Sequence, residues 1–318
     1  MNAHLIEQFF ECLACRGPLR VVDEALISCS ACSATVAIRA GVPRFVPESN
    51  YADSFGYQWN IHRRTQLDSY TGLPISRNRL FEVTGWPYDL TDQTVMEAGS
   101  GAGRFTEVLL GSGAKVISFD YSSAVDANFA NNGEHPNLCL FQGNIFDIPV
   151  RTAAIDKVMC LGVLQHTPDP HRAFKNLASH VRPGGDLVID LYGKRLVSML
   201  HWRFLLRPLT KRMDQERLYR AVSRLVPPLV PFTAFLRRVG GRAGARLSPI
   251  SEYAHLGLSP EMNCEWAILD TFDMYSPAHD HPQSLQTVER WFREVGFEDV
   301  QVRYGPNGVI GRGRRPHG

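Results

Sequence analysis

Between Val95 and Arg104 the chain reads Val-Met-Glu-Ala-Gly-Ser-Gly-Ala-Gly-Arg, which puts glycines at 99, 101 and 103. The apolar run Gln93–Ala98 before them predicts a strand, and Arg104–Leu110 after them predicts a helix. Glycines at a strand-to-helix turn let a ligand approach the backbone. The helix start then offers unpaired N–H groups. A nicotinamide dinucleotide site wants its last glycine one position later, where this chain has Arg104. Glu97, two residues before the first glycine, would also repel a pyrophosphate, so a zwitterionic or cationic ligand suits the loop better. Asp120 stands 21 residues after Gly99 at the end of the next expected strand. A carboxylate there can accept hydrogen bonds from both hydroxyls of a ribose.

The alternation continues. Lys115–Phe119, Leu138–Phe141, Ile155–Leu161 and Asp186–Tyr192 read as strands, with helices over Ser123–Asn131 and Pro170–Val181. Strands alternating with helices imply an α/β fold with a parallel sheet covered on both faces. After the third strand comes Gly143-Asn144-Ile145, where Asn144 can bond an adenine edge and Ile145 can pack on its face. After the fourth come Gln165-His166-Thr-Pro-Asp169, and Arg182-Pro-Gly-Gly185 reads as a turn into the fifth strand. A last helix, Gln286–Val295, capped by Gly296, precedes a hairpin of Val300–Tyr304 and Val309–Arg312 around Gly305-Pro306-Asn307-Gly308.

Four of the seven cysteines form two CxxC pairs, Cys12/Cys15 and Cys29/Cys32, separated by 13 residues. Two such knuckles can bring four thiolates to one zinc ion, leaving no open position for catalysis. A redox pair would open a helix, and Cys12 precedes no obvious one; disulfides are not expected without an export signal. Structural zinc is the favoured reading. The isolated Cys139, Cys160 and Cys264 read as packing residues.

The formal net charge is only +2, but residues 195–250 hold 12 basic and 2 acidic side chains, and the remainder holds 22 basic and 30 acidic. A local +10 against −8 elsewhere suits a segment facing phosphate, a membrane surface or RNA; a solvated arginine-rich face is the plain alternative. Leu196, Leu200, Trp202, Leu205, Leu206 and Leu209 lie among its arginines, a pattern able to rest on an anionic membrane. No apolar run approaches the roughly 18 residues of a membrane span. Leu225–Leu236 is too short and carries three prolines. The first ten residues carry no secretory pattern, so a cytoplasmic chain, at most peripheral to a membrane, is expected.

Two resemblances follow from these motifs. Cys12-Leu-Ala-Cys15-Arg-Gly-Pro-Leu19, Cys29-Ser-Ala-Cys32 and Ile38-Arg-Ala-Gly-Val-Pro-Arg-Phe45 resemble the Trm112-like zinc-ribbon family, with Ala40 where an acid is usual. Such modules are often fused to, or partner with, methyltransferases. The ordered set from Glu97 to Gly185 resembles the class I S-adenosylmethionine-dependent methyltransferases of the ubiquinone/menaquinone-methyltransferase-like group. The resemblance implies a Rossmann-like methyltransferase sheet with a C-terminal antiparallel hairpin, a small N-terminal zinc ribbon and a helical substrate-cap insertion. The expected divisions are a ribbon over 1–48, a helical lead-in or lid over 49–90, a core over 91–193, a basic cap over 194–283, and a helix and hairpin over 284–318.

Carried over, Glu97, Gly99, Gly101 and Gly103 would cradle the methionine moiety, Asp120 the ribose, and Asn144 and Ile145 the adenine. Asn144 departs from the aspartate common there. Methyl transfer to a hydroxyl benefits from a base. His166, just past the fourth strand, is the candidate, with anchoring of its loop as the alternative. Asp273 and His281 belong to a cluster from Asp270 to His281 that could form a base, a metal site or a self-bonded polar loop. Tyr57, Gln58, Trp59 and Arg63 could form a lid. The expected acceptor is a small molecule, a saccharide or a lipid-, phosphate- or nucleotide-linked compound, methylated on oxygen. RNA is the second reading, since ribosomal RNA guanine-N1 methyltransferases also join a zinc module to this fold. A non-enzymatic cofactor-binding scaffold is the third.

Overall fold

The computed structural model describes residues 2–47, 52–194 and 202–317. Leu196 and Leu200, singled out above, lie outside the described residues. The chain opens with α1 (Ala3–Phe9), whose first turn is capped by Asn2 accepting from the Leu5 N–H. An antiparallel ribbon follows: β1 (Leu19–Val21), β2 (Leu26–Cys29), β3 (Thr35–Arg39) and β4 (Val42–Pro43), in that spatial order. Three helices come next, α2 (Asp53–Ile61), α3 (Asp68–Thr71) and α4 (Ile75–Thr84).

The main unit alternates as the sequence predicts: β5 (Thr94–Ala98), α5 (Arg104–Gly111), β6 (Lys115–Asp120), α6 (Ala124–Asn132), β7 (Leu138–Gln142), β8 (Ile155–Leu161), α7 (Pro170–His180) and β9 (Val181–Leu191). The helices α8 (Trp202–Thr210), α9 (Gln215–Ala245) and α10 (Pro260–Tyr275) are inserted before α11 (Leu285–Glu294), β10 (Glu298–Tyr304) and β11 (Val309–Arg314). Seven strands form one sheet in the order β10-β11-β9-β8-β5-β6-β7, with β5 to β9 parallel and the final hairpin antiparallel. Every residue of β5 and β7 is buried, as parallel strands covered on both faces require. Arg182–Gly185 is not a turn into the fifth strand but part of it. Gly184 (φ 74°) and a register shift between Ile155 and Lys157 let β9 bend without leaving the ladder.

Helix α9 runs through Pro227, Pro228 and Pro231. Each proline removes a helical N–H, at a cost of about 3 kcal/mol in an ordinary interior. Packing overrides that cost. Leu218, Val222, Val226 and Val230 fall at four-residue spacing and bury one stripe against Ile250, Ala267, Phe272 and Tyr275. The helix path breaks only at Gly241 (φ 57°, ψ −144°). No helix of the described residues is long and apolar enough to cross a membrane.

The ribbon seats against the β7 edge of the sheet. The Phe45 N–H donates to the Gln142 carbonyl (2.9 Å), and Glu11 and Arg151 exchange backbone bonds with Pro149 and Phe9. Arg44 reaches Asp126 (2.5 Å) and the Gln142 side-chain oxygen (3.1 Å). Phe10 and Phe45 meet Phe141 edge-on, with ring centroids 5.1 and 5.7 Å apart, so one core runs from ribbon to sheet. Phe10 is fully buried. Phe10→Ala is expected to lower unfolding free energy by about 3–5 kcal/mol through the cavity it leaves. Urea denaturation checks this: the midpoint should fall while the slope stays unchanged.

Candidate functional site

Strand order reverses between β5 and β8, so the loops leaving their carboxyl ends diverge and open a crevice. A cavity of about 590 Å³ lies there. Gly99, Gly101, Asp120, Ile145, His166, Trp59 and Asp273 all line it. Gly99, Gly101 and Gly103 have φ of 78°, 52° and 88°, a region that L side chains avoid. Space is as restrictive as conformation. A Cβ on Gly99 would stand 2.3 Å from Val163, and one on Gly103 2.2 Å from the Asn128 side-chain oxygen.

Glu97 does not line the cavity; it is buried beneath the glycine loop. Its Oε2 accepts from the hydroxyls of Thr106 (2.5 Å) and Ser118 (2.9 Å), and Oε1 is buried with no partner. Burial pushes its carboxyl up to about 7. Asp120 ties the loops together: Oδ2 accepts from the Gly101 N–H (3.0 Å), and Oδ1 from the N–H and hydroxyl of Ser122 (2.9 and 2.7 Å). Ile145 presents a buried apolar surface, whereas Asn144 lies outside the lining and turns its Oδ1 onto the Phe146 N–H (3.0 Å).

His166 is buried, with its ring 5.3 Å from those of Phe55 and Tyr192. Its Nδ1 donates to the His279 carbonyl (3.0 Å), which leaves the Nε2 lone pair free of the proton. Burial lowers its pKa, favouring neutral imidazole. The four residues of α2 and its exit separate. The Trp59 ring covers the glycine loop, 3.1 Å from where a Gly101 Cβ would stand. Gln58 is buried and donates to Asp273 (3.1 Å). Tyr57 turns away to pack on Tyr219 and Phe272, and Arg63 is exposed. The acidic–histidine stretch also divides. Asp270 and Asp273 face the cavity, Asp280 pairs with Arg207 (2.5 Å), and His281 is exposed.

A polar network in the same wall escaped sequence reasoning. Arg104 reaches the Ser76 hydroxyl (3.1 Å) and the Gln66 side-chain Oε1; the Gln66 Nε2 donates to Asp270 (3.0 Å), which also accepts from Tyr253. Burial pulls the Arg104 guanidinium down to about 9 and pushes Asp270 up to about 6. Arg79 donates to the buried Asp190 (3.0 Å). The available signal was Arg104 following the last glycine; the partners lie 38 and 204 positions apart and carry none.

In the ribbon, the sulfurs of Cys12, Cys15, Cys29 and Cys32 lie within 4.8 Å of one another, with Cys12–Cys32 at 3.7 Å and Cys15–Cys29 at 3.5 Å. A tetrahedral tetrathiolate zinc centre places its sulfurs about 3.8 Å apart. The N–H groups of Gly17 and Ala31 point at Cys15 and Cys29 sulfur, both at 3.4 Å. A Cβ on Gly17 would stand 2.7 Å from the Ala31 Cβ, which accounts for the glycine after the first knuckle. Among the described residues this is the one cluster that could hold a metal ion.

Residues 96–189 match the family described as methyltransferase domain. The likeness to a methyltransferase domain is confined to this stretch. Over 114 residues it is 30% identical to the ubiquinone biosynthesis O-methyltransferase of Coxiella burnetii, covering 35% of this chain and 49% of that one. The tRNA U34 carboxymethyltransferase of Campylobacter fetus is 30% identical over 105 residues, covering 32% and 37%. An uncharacterized protein of Synechococcus sp. is 30% identical over 278 residues, covering 80% and 57%. The chain thus spans about half the length of the curated relatives it matches. Among solved structures, an O-methyltransferase family protein of Burkholderia thailandensis aligns at a TM-score of 0.45 with 16% identity, covering 86% of this chain and 66% of that one. A chain in the complex of the Haloferax volcanii Trm112 methyltransferase activator aligns at 0.48 with 13% identity, covering 83% and 99%. The methyltransferase domain match begins inside β5 and ends inside β9, so ribbon, inserted helices and hairpin lie outside it.

Within the matched stretch, Glu97 gives a pH signature. Its native pKa lies above the unfolded value, so the folded chain binds more protons than the unfolded one between the ordinary carboxylate range and about pH 7. Stability therefore falls as pH rises through that interval. From about pH 5 to about pH 8 the wild type should lose on the order of 2–3 kcal/mol relative to Glu97→Gln. Unfolding free energies of both proteins across that range test it; parallel curves would contradict it.

Proposed function

We propose that this chain is an S-adenosylmethionine-dependent methyltransferase acting on an oxygen of a small-molecule, saccharide or lipid-, phosphate- or nucleotide-linked acceptor. The observation that carries the reading is the convergence of the glycine loop, Asp120 and His166 on one cavity at the strand-order reversal. The residues present fit the cofactor. Gly99 and Gly101 leave the loop backbone open to a ligand in the cavity, and the orphaned Oε1 of Glu97 lies beneath that loop as an acceptor of the sign a zwitterion's ammonium end requires. Asp120 would hold the ribose, and Ile145 one face of the adenine. Asn144, bonded within its own turn, would shape that loop. Trp59 on the glycine loop would exclude water, and Gln58 would position Asp273.

When bound, the cofactor's sulfonium supplies an electrophilic methyl group. The chain's own contribution is to align the acceptor and accept its proton. His166 suits the second task. Its Nδ1–H is committed to the His279 carbonyl, and burial keeps the ring neutral, so Nε2 can take a hydroxyl proton near neutral pH. This need for a base favours an oxygen acceptor, and a relative named as an O-methyltransferase points the same way. The relative named as a tRNA carboxymethyltransferase supports RNA as a second reading. The four clustered cysteines would hold a structural zinc ion.

Calorimetric titration with S-adenosylhomocysteine tests the cofactor. Micromolar binding is expected, with Asp120→Ala weakening it at least about tenfold through lost charge-assisted hydrogen bonds. A folded, zinc-loaded protein that binds none would sink the reading. Metal analysis should return one zinc per chain, and Cys29→Ala should lose it while lowering thermal stability. His166→Asn should keep cofactor affinity and lower turnover by about 10²–10⁴-fold. That is measured as transfer of labelled methyl from S-adenosylmethionine into a cell extract; an unchanged rate would return His166 to a loop anchor.

A further inference from the structure

The methyltransferase reading leaves one large surface unused. Helix α9 buries Leu218, Val222, Val226 and Val230 in one stripe, and a neighbouring face of the same helix is apolar and exposed. Leu225, Phe232, Phe235 and Val239 are 62, 54, 61 and 72% exposed. At about 100° per residue, Leu225, Phe232 and Val239 project within about 40° of one another, with Phe235 beside them. The stripe is about 21 Å long at 1.5 Å per residue. Two aromatic side chains on this face thus leave more than half of their surface to solvent.

Charge selects the occupant. Residues 215–246 carry seven arginines and a single acid, Glu216. Arg237 is neutralised by Glu252 (2.6 Å), whereas Arg217, Arg224 and Arg238 are exposed along one flank of the stripe. An apolar stripe beside a row of arginines has the amphipathic form that lies in the plane of an anionic membrane surface. A second copy of the chain would bring the same positive flank against this one, and a nucleic acid would leave the phenylalanines in water. We infer that α9 docks the chain on an anionic lipid bilayer, with Phe232 and Phe235 in the acyl boundary and the arginines among the headgroups.

The face adjoins the cavity. Arg242 and Arg246, just past the bend at Gly241, are exposed and line it. Docking would therefore bring the cavity entrance to the headgroup layer. That last step rests on the proposed transfer and names its acceptor class, a compound carried in or on the bilayer. The docking itself uses none of the residues assigned to the cofactor.

The test is co-sedimentation of the full chain with vesicles of phosphatidylcholine alone and of phosphatidylcholine mixed with phosphatidylglycerol. Binding is expected to the mixed vesicles, weak on the neutral ones, and decreasing with added salt. The double variant Phe232→Ser, Phe235→Ser should lose at least about tenfold of that affinity, given the apolar area each ring contributes. It should keep the wild-type circular dichroism spectrum and S-adenosylhomocysteine affinity. Arg224→Glu with Arg238→Glu should abolish the preference for phosphatidylglycerol. Three results would each overturn the inference: a folded wild type that ignores both vesicle types; light scattering that shows a dimer lost in the phenylalanine variant; or salt-sensitive retention on an RNA oligomer in place of vesicles. Vesicle binding by a protein that binds no S-adenosylhomocysteine would uphold the docking and sink the cofactor reading.

Discussion

The structure depends on a reversal in strand order. β5 pairs in parallel with β6 on one side and β8 on the other, so the chain must leave β5 between two loops that run apart. Near the end of β6 the Phe119 carbonyl accepts from the N–H groups of Gly99 and Ser100 (2.8 and 3.0 Å). One residue on, where the ladder can no longer reach, a side chain takes over: Asp120 accepts from the Gly101 N–H. These three bonds hold the glycine loop against the neighbouring strand. Glu97 supports it from beneath, through Thr106 on α5 and Ser118 on β6. Glu97 is buried and Asp120 half-buried, and desolvation raises the pKa of each. The crevice is thus held open by groups that give up solvation to stay there.

The ribbon answers a different demand of the same sheet. β7 is an edge strand, and an unpaired parallel edge invites association. The Arg44–Phe45 stretch covers it, and the contact is more than steric. Arg44 bonds the Gln142 side chain, which in turn donates to the Tyr121 carbonyl (3.0 Å), one residue past Asp120. Ribbon and crevice are therefore two hydrogen bonds apart. The aromatic group of Phe10, Phe45 and Phe141 makes the join part of the core.

Local chemistry was legible in the sequence and partnership was not. Three glycines two apart could be read as a positive-φ turn, and all three have positive φ. Two CxxC pairs could be read as converging, and their sulfurs meet. The hairpin around Gly305–Gly308 could be read from its turn residues. By contrast, nothing in the spacing told that Trp59 would face the glycine loop while Tyr57, two residues earlier, would turn to Phe272. Helical periodicity fixes relative direction around α2 but not which side meets the sheet. The Arg104–Gln66–Asp270 chain joins three distant segments, and only the folded wall brings them together. The prolines of α9 show the same limit of local reading. Proline reports local backbone cost, whereas the four-residue spacing of Val222, Val226 and Val230 reports tertiary burial, and burial won.

The hydrogen bond from His166 to the carbonyl of residue 279 spans 113 positions, from the fourth parallel strand's exit to the segment that follows α10. A neutral imidazole has two forms that differ little in water, and this bond is what separates them here. The choice of form is therefore made by the inserted helices and not by the sheet that carries the ring. The seated insertion selects Nε2 as the basic nitrogen. The basic nitrogen of a histidine carried by the sheet is thus set by a carbonyl that the insertion supplies.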